Sequence, residues 1–263
     1  MTSQKYLSHY IGHQANLITT LAPFLSGPKG EDYIHQVRVA TRRMRAAFWI
    51  LRHDPKSHEI RDLNRYLKKL GKLLGRIRDL DLAIVDAKSY KVDPEELKSC
   101  QKVLSRKMQK LTLKKPMEQV RKQIIMVENL ASRANPQLIS EARNELCGLM
   151  EEQIEKRLSG AKKLHQLRIN LKKTRYILEA IGEPVTPLKP LQDVLGEAHD
   201  LQILQHLIGK NRKLKSKESH LNKKAVKLVG PALQFAVQQL KSQSPRVPAK
   251  SEHRGGENAT SGK

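Results

Sequence analysis

The sequence predicts an all-α fold built by internal duplication, and three observations carry that reading. Helical periodicity dominates the 263 residues, with no convincing alternating strand. A sixteen-residue pattern occurs twice, 130 positions apart: HQVRVATRRMRAAFWI from His35 to Ile50, and HQLRINLKKTRYILEA from His165 to Ala180. A second motif follows each copy in the same order, LLGRIRDLDLAI from Leu73 to Ile84 and VLGEAHDLQIL from Val194 to Leu204, at an offset of 121. Two ordered motifs recurring together indicate a duplicated unit rather than a chance run. Each unit is too large for a solenoid repeat and fits a small helical bundle.

Breakers and caps divide the chain into eight expected helices. The first spans about Ser3 to Leu21, before Pro23, and the second starts after Gly30 and ends near His53, before Pro55. A long third helix covers about Ser57 to Ser89. The fourth begins at Pro94, a good first-turn residue, and reaches about Ser132, with Pro116 marking a kink or break. Asn135-Pro136 opens the second half, whose helices run from about Pro136 to Ser159, Ala161 to Ile181, Pro187 to Ile208 and Ser216 to Leu240. The expected organisation is one helical domain over 1–242, with four helices in 1–134 and four in 135–242. Residues 243–263, rich in Pro, Gly and Ser, read as a disordered tail.

Charge narrows the function. Lys plus Arg number 50 against 26 Asp plus Glu, a net charge of +24. The tail adds only four cations and two acids, so the surplus belongs to the expected helices. Such a surplus repels itself and suits a polyanionic partner: nucleic acid, polyphosphate or an anionic membrane surface. Two cysteines, Cys100 and Cys147, have no metal-ligand spacing and are too few for a disulfide scaffold. With no recognisable signal peptide or bilayer-length apolar run, the expectation is a soluble cytoplasmic protein.

The candidate site follows from helical wheels. At 100° per residue, His35, Arg38, Arg42 and Arg45 share an arc of roughly 80°, and His165, Arg168, Lys172 and Arg175 repeat it. Val37, Ala40, Met44, Ala47, Phe48 and Leu51 form the opposite, apolar side of the first copy. No acid lies between His35 and Arg52 or between Lys162 and Leu178. A solvated helix face ordinarily mixes signs, so an external anion is the expected counter-charge. The i, i+3, i+7, i+10 spacing lays the cations along a line of about 15 Å, which suits a linear chain of phosphates. In the third helix Arg61, Arg65, Lys68, Lys72 and Arg76 form another basic stripe, with Lys69 adjoining it, opposite Leu63, Leu70, Leu73, Leu74 and Ile77. Its counterpart in the second half keeps only Lys189, and Glu197 stands in place of Arg76.

Asp79 and Asp200 hold equivalent positions, and each is expected to pair with a motif arginine and fix its rotamer. His9 and His13 have zinc-compatible spacing but lack a third ligand, so no metal site is expected. Aromatic residues make up only 4%, which argues against a base-stacking platform for single strands, although Trp49 and Tyr176 lie near the basic arcs. No phosphate-binding P-loop occurs and no nucleophilic triad can be singled out, so neither catalytic residues nor a cofactor are expected.

Taken together, the four motifs resemble the CHAD family of histidine-containing all-α domains over nearly all of Ser3 to Leu240. The resemblance implies two four-helix bundles related by pseudo-twofold symmetry, with a basic surface and a central cavity that bind inorganic polyphosphate. It carries the binding role to His35, Arg38, Arg42, Arg43 and Arg45, and to His165, Arg168, Lys172, Lys173 and Arg175. Association with polyphosphate granules is a further implication. The acidic ExExK signature of the phosphatase domain fused to some relatives is not in this chain. The expected function is therefore polyphosphate binding without chemical change. A backbone-directed nucleic-acid-binding protein and, from another class, a metal-dependent polyphosphate-processing enzyme using Asp79 or Asp200 stay open as alternatives.

Overall fold

The computed structural model describes residues 2–87, 93–155, 161–183, 185–209 and 211–242. Over these residues the secondary structure is entirely helical. The first five helices are α1 (Ser3–Leu21), α2 (Gly30–Ile50), α3 (Arg61–Ala87), α4 (Glu95–Leu111) and α5 (Lys114–Arg133). Four more follow: α6 (Pro136–Glu155), α7 (Ala161–Ala180), α8 (Lys189–Ile208) and α9 (Arg212–Ser242). None of these helices is long and apolar enough to cross a membrane.

The helix limits have local causes. Thr2 caps α1, its hydroxyl accepting from the Lys5 amide. Glu31 and Asp32 sit in the first turn of α2, where the helix dipole favours them. Asn135 and Asn211 accept from the amides at the starts of α6 and α9, respectively. At the end of α7 the Glu183 amide donates to the Leu178 carbonyl and the Gly182 amide to that of Glu179, with Gly182 at φ 80°. This is a Schellman turn, which needs the left-handed conformation that glycine adopts without strain.

The expected fourth helix is in fact two. Leu113 is extended at φ −60°, ψ 157°, and α5 begins directly after it. Pro116 then falls in the first turn of α5, where amides have no intrahelical acceptor, so its missing N–H costs nothing there. The segment 1–134 consequently contains five described helices rather than four. Short 3-10 turns, Leu51–His53, Ser57–Ile60 and Thr186–Leu188, take the ends expected to be α-helical. The expected ends at Ser89 and Ser159, and the tail 243–263, lie outside the described residues.

One buried apolar cluster runs through all the helices. The six apolar positions read from the first motif are all buried, Val37, Ala40, Met44, Ala47 and Leu51 completely. So are Leu63, Leu70, Leu74 and Ile77 of α3. α1 packs against α5 and α2, α3 against α2 and α4, and α9 against α8 and α6. Across the middle, α2 lies against α7 and α3 against α8, which brings both copies of the first motif together.

Small residues set the α2–α3 separation. A Cβ added at Gly71 would stand 2.8 Å from Thr41 Oγ1, whose hydroxyl donates to the Arg38 carbonyl. Overpacking of this kind costs about 1–3 kcal/mol, against the ~1 kcal/mol that Ala gains over Gly in a helix. Gly71→Ala is therefore expected to lower unfolding free energy by about 1 kcal/mol, measured by urea denaturation. The same substitution in a Thr41→Ala background is expected to be neutral or stabilising, because the opposing oxygen is gone.

A basic seam between the motif helices

The four helices α2, α3, α7 and α8 converge on a cluster of Arg38, Arg42, Arg168 and Lys172, with Asp79 and Asp200 beside them. Four cations thus face two carboxylates. Arg38 approaches Asp79 at 3.9 Å, a long contact that leaves room for another acceptor. The Arg38 guanidinium lies against α3 at Gly75, where an added Cβ would stand 3.6 Å from Nε, in ordinary contact. The Nε atoms of Arg38 and Arg168 are both buried without a hydrogen-bond partner among the described residues. These arginines occupy equivalent positions in the two motif copies.

Electrostatics bear the mark of that surplus. Burial, then Arg168, Arg42 and Arg38, pull the Lys172 ammonium down to about 7, with Asp200 opposing. Burial and Arg42 likewise bring Arg38 down to about 10. Burial also lowers Arg168, which Asp200 partly offsets. Asp79 and Asp200 are both raised by burial, against the pull of the surrounding cations. Each shift reflects charge held away from water with too little counter-charge to match.

Two clefts open from the seam. A cleft of about 940 Å³ lies between α2, α7 and the turn before α3; Arg42, Arg45, Arg61, Arg168, Lys172 and Lys173 supply cations to its wall. A second, of about 750 Å³, is bordered by Arg76, Asp79, His165, His199 and His206. The rings of His165 and His199 stand 4.9 Å apart, and burial with Arg168, His165 and Lys172 pushes His199 down to about 4. His35 is largely exposed at the surface, where partial desolvation and then Arg78, Arg38 and Arg42 hold its imidazole below the usual range.

The remaining expected site residues make other contacts or lie away from the clefts, although Arg45 and Arg76 also line them. Arg43 and Arg175 converge on Glu179, with Arg43 Nε donating to Oε2 at 2.8 Å and Arg175 Nε to Oε1 at 3.1 Å. The Tyr10 hydroxyl donates to the same carboxylate, and the Tyr6 hydroxyl to the Glu179 carbonyl. This network ties α1, α2 and α7 together. Arg45 donates to Asn64, and Arg175 donates also to Gln192, so each hairpin of first and second motif is bridged by an arginine–amide bond. Arg65 pairs with Asp62, and Lys68 is exposed on the outer face of α3. Lys69, Lys72 and Arg76 border a groove with Lys107 and Lys110 of α4. Lys189 is exposed at the start of α8, outside both clefts.

Several residues of the site were not read from the sequence. Arg52 reaches the first cleft from the turn after α2, where it joins Arg61, the first cation of the α3 stripe. His199 sits in the second motif, one residue before the Asp200 that drew attention to it. Arg78, in the α3 motif, faces His35 and pairs with Glu31 at 3.8 Å.

The Lys172 shift has a stability consequence whose sign is fixed. Its folded value of about 7 lies below the ordinary 10.5. Below pH 7 both states carry the proton and the folded state bears the full charge penalty. Between 7 and about 10 the unfolded chain binds more protons, so this group makes stability rise with pH. Relative to wild type, Lys172→Met is expected to be more stable at pH 6.5 by at least about 1 kcal/mol and to show a shallower rise towards pH 10. Denaturation across that pH range checks it, and parallel profiles would contradict it.

A family model for the CHAD domain matches residues 5–209. Among solved structures, the chain is similar to the CHAD domain from the plant Ricinus communis, at 16% identity over 93% of both chains with a TM-score of 0.54. It is also similar to PptA from Streptomyces chartreusis, at 14% identity over 92% of this chain and 100% of that one, with a TM-score of 0.48. No curated protein matches. With the family model spanning most of the described helices, and the fold shared with a solved member, this chain belongs to the CHAD family.

Proposed function

We propose that this protein binds inorganic polyphosphate, without chemically changing it, along the seam between α2 and α7. The observation that carries this is the buried, unpartnered Nε on both Arg38 and Arg168, within a cluster where four cations face two carboxylates. A buried N–H left unpaired is costly, and a phosphate oxygen supplies both the acceptor and the missing negative charge. Arginine suits this task because its planar fork matches phosphate oxygens, whereas Lys172 adds a point charge. Membership of a family in which some members bind polyphosphate supports the same ligand.

Within this reading the expected binding set sorts by place. Arg38, Arg42, Arg168 and Lys172 form the inner contacts, with His35 and His165 at the seam's margins. Lys69, Lys72 and Arg76 extend the path over α3. Asp79 and Asp200 orient the inner arginines rather than touching the ligand, and Arg43 and Arg175 brace the helices through Glu179. Polymer length is then read by how many of these cations one chain reaches. The two motif copies contribute as a pair, the remnant of the duplication seen in the sequence.

At matched ionic strength polyphosphate is expected to bind more tightly than a random DNA duplex in direct competition. The seam is recessed and presents no helix to a DNA groove. Affinity is expected to fall steeply with salt as each contact releases counterions. Arg38→Gln with Arg168→Gln is expected to weaken polyphosphate binding at least about tenfold. Arg65→Gln with Lys68→Gln on the outer face is expected to weaken it about threefold or less. Calorimetric titration with circular dichroism as the folding control distinguishes these outcomes. Equal losses in the two pairs, or preference for DNA, would move the ligand off the seam. Incubation with magnesium or manganese is expected to release no orthophosphate.

A further inference from the structure

The larger cleft has a wall that a bare phosphate chain leaves unused. Ile169, on the motif helix α7, is 45% exposed there, beside Trp49 and the buried face of Tyr176. Three of the chain's ten aromatic residues, Phe48, Trp49 and Tyr176, line this one cleft. Arg42, Arg168 and Lys172 line the same cleft. Inorganic polyphosphate has no apolar surface with which to cover its apolar wall. A ligand that matches the whole cleft joins a flat apolar group to a short run of phosphates.

From this juxtaposition the geometry points to a nucleoside polyphosphate as a second ligand of the larger cleft, its base against Trp49 and Ile169 and its phosphates on Arg42, Arg168 and Lys172. The inference rests on the polyphosphate reading for those three cations and adds a specific partner for the aromatic wall. Arg42 and Trp49 are seven residues apart on α2, about 10 Å along its axis, a separation that a ribose and its first phosphates span. The cleft, at about 940 Å³, is large enough to enclose such a molecule.

Trp49 is already used as a cation platform. The Arg52 guanidinium lies 3.6 Å from the ring centroid and the Lys173 ammonium 4.7 Å from it. Arg52 is held in place by Glu145 and the Trp49 carbonyl. Lys173 is exposed and lies over the ring, with Glu145 attracting its ammonium and Arg52 repelling it. Base stacking on an aromatic ring outweighs one solvent-exposed cation contact. An incoming base therefore displaces Lys173, whose flexible stem can swing its ammonium to the phosphates instead.

Trp49 is the single tryptophan of the chain, so its fluorescence reports on this cleft alone. The experiment titrates the 263-residue chain, free of divalent cations, with ATP, with inorganic tripolyphosphate and with long-chain polyphosphate. ATP is expected to quench Trp49, and long-chain polyphosphate to reverse the quench by competing for the shared cations. By calorimetry, Trp49→Leu is expected to weaken ATP about tenfold while leaving tripolyphosphate unchanged. Ile169→Ser, at an exposed position with little bearing on folding, is expected to weaken ATP in the same selective way. Absence of a quench, or equal losses for ATP and tripolyphosphate in both variants, would overturn the inference. Polyphosphate binding without ATP binding would sink this inference alone, whereas failure of both ligands would sink the polyphosphate reading with it.

Discussion

Charge that cannot be balanced from within governs this molecule. Where α2 meets α7, Arg38, Arg42, Arg168 and Lys172 are gathered around Asp79 and Asp200, two carboxylates for four cations among the described residues. Inside a protein such like charges repel far more strongly than in water. The protein responds by shifting proton equilibria, most plainly at Lys172, brought to about 7. Apolar packing of the same helices supplies the stability that allows this. Val37, Ala40 and Met44 on one side of α2 are completely buried, and that burial holds the arginines of the other side in place. A second contribution comes from Glu179, the acid on which Arg43, Arg175 and Tyr10 converge. By bonding both Arg43 and Arg175 it holds the outer arginines away from the seam.

That division of labour explains why neighbouring arginines in one helix do different things. Arg42 and Arg43 are adjacent in sequence, yet one borders the larger cleft and the other bonds Glu179. Arg45 and Arg175, the last basic positions of the two arcs, each reach across to an amide on the following motif helix. They fix the hairpins against which the inner cations are set. Bound phosphate would add acceptors for the Arg38 and Arg168 Nε atoms, which have none among the described residues, converting an electrostatic liability into binding free energy.

Much of this was legible in the sequence, because α-helices turn spacing into direction. The i, i+3, i+7 pattern singled out Arg38, Arg42, Arg168 and Lys172 before any packing was known, and the apolar arc of α2 is buried as read. What a wheel cannot give is the partner across a helix interface. Arg175 and Glu179 are an i,i+4 pair on one helix, but the Arg43–Glu179 bond joins residues 136 positions apart, and no single-helix periodicity encodes it. His199 and Arg78 were missed for a similar reason, since each acts on a motif helix from a neighbouring one. The break at Leu113 was half visible: Pro116 marked the region, but a proline in a first turn begins a helix rather than kinking one. Arg52 reaches the cleft from the 3-10 turn after α2, where periodicity fades.

The central claim is that a bound polyanion supplies the counter-charge the seam lacks, and proton uptake measures this directly. Polyphosphate binding is to be followed by calorimetry at pH 8 in buffers of differing ionisation enthalpy, for wild type and for Lys172→Met. Lys172 is largely neutral at that pH in the empty protein and regains its proton when phosphate lies beside it. The account predicts an uptake approaching about one proton per bound site in wild type, and most of it lost in Lys172→Met. Binding with no proton uptake, or with the same uptake in both proteins, would contradict it.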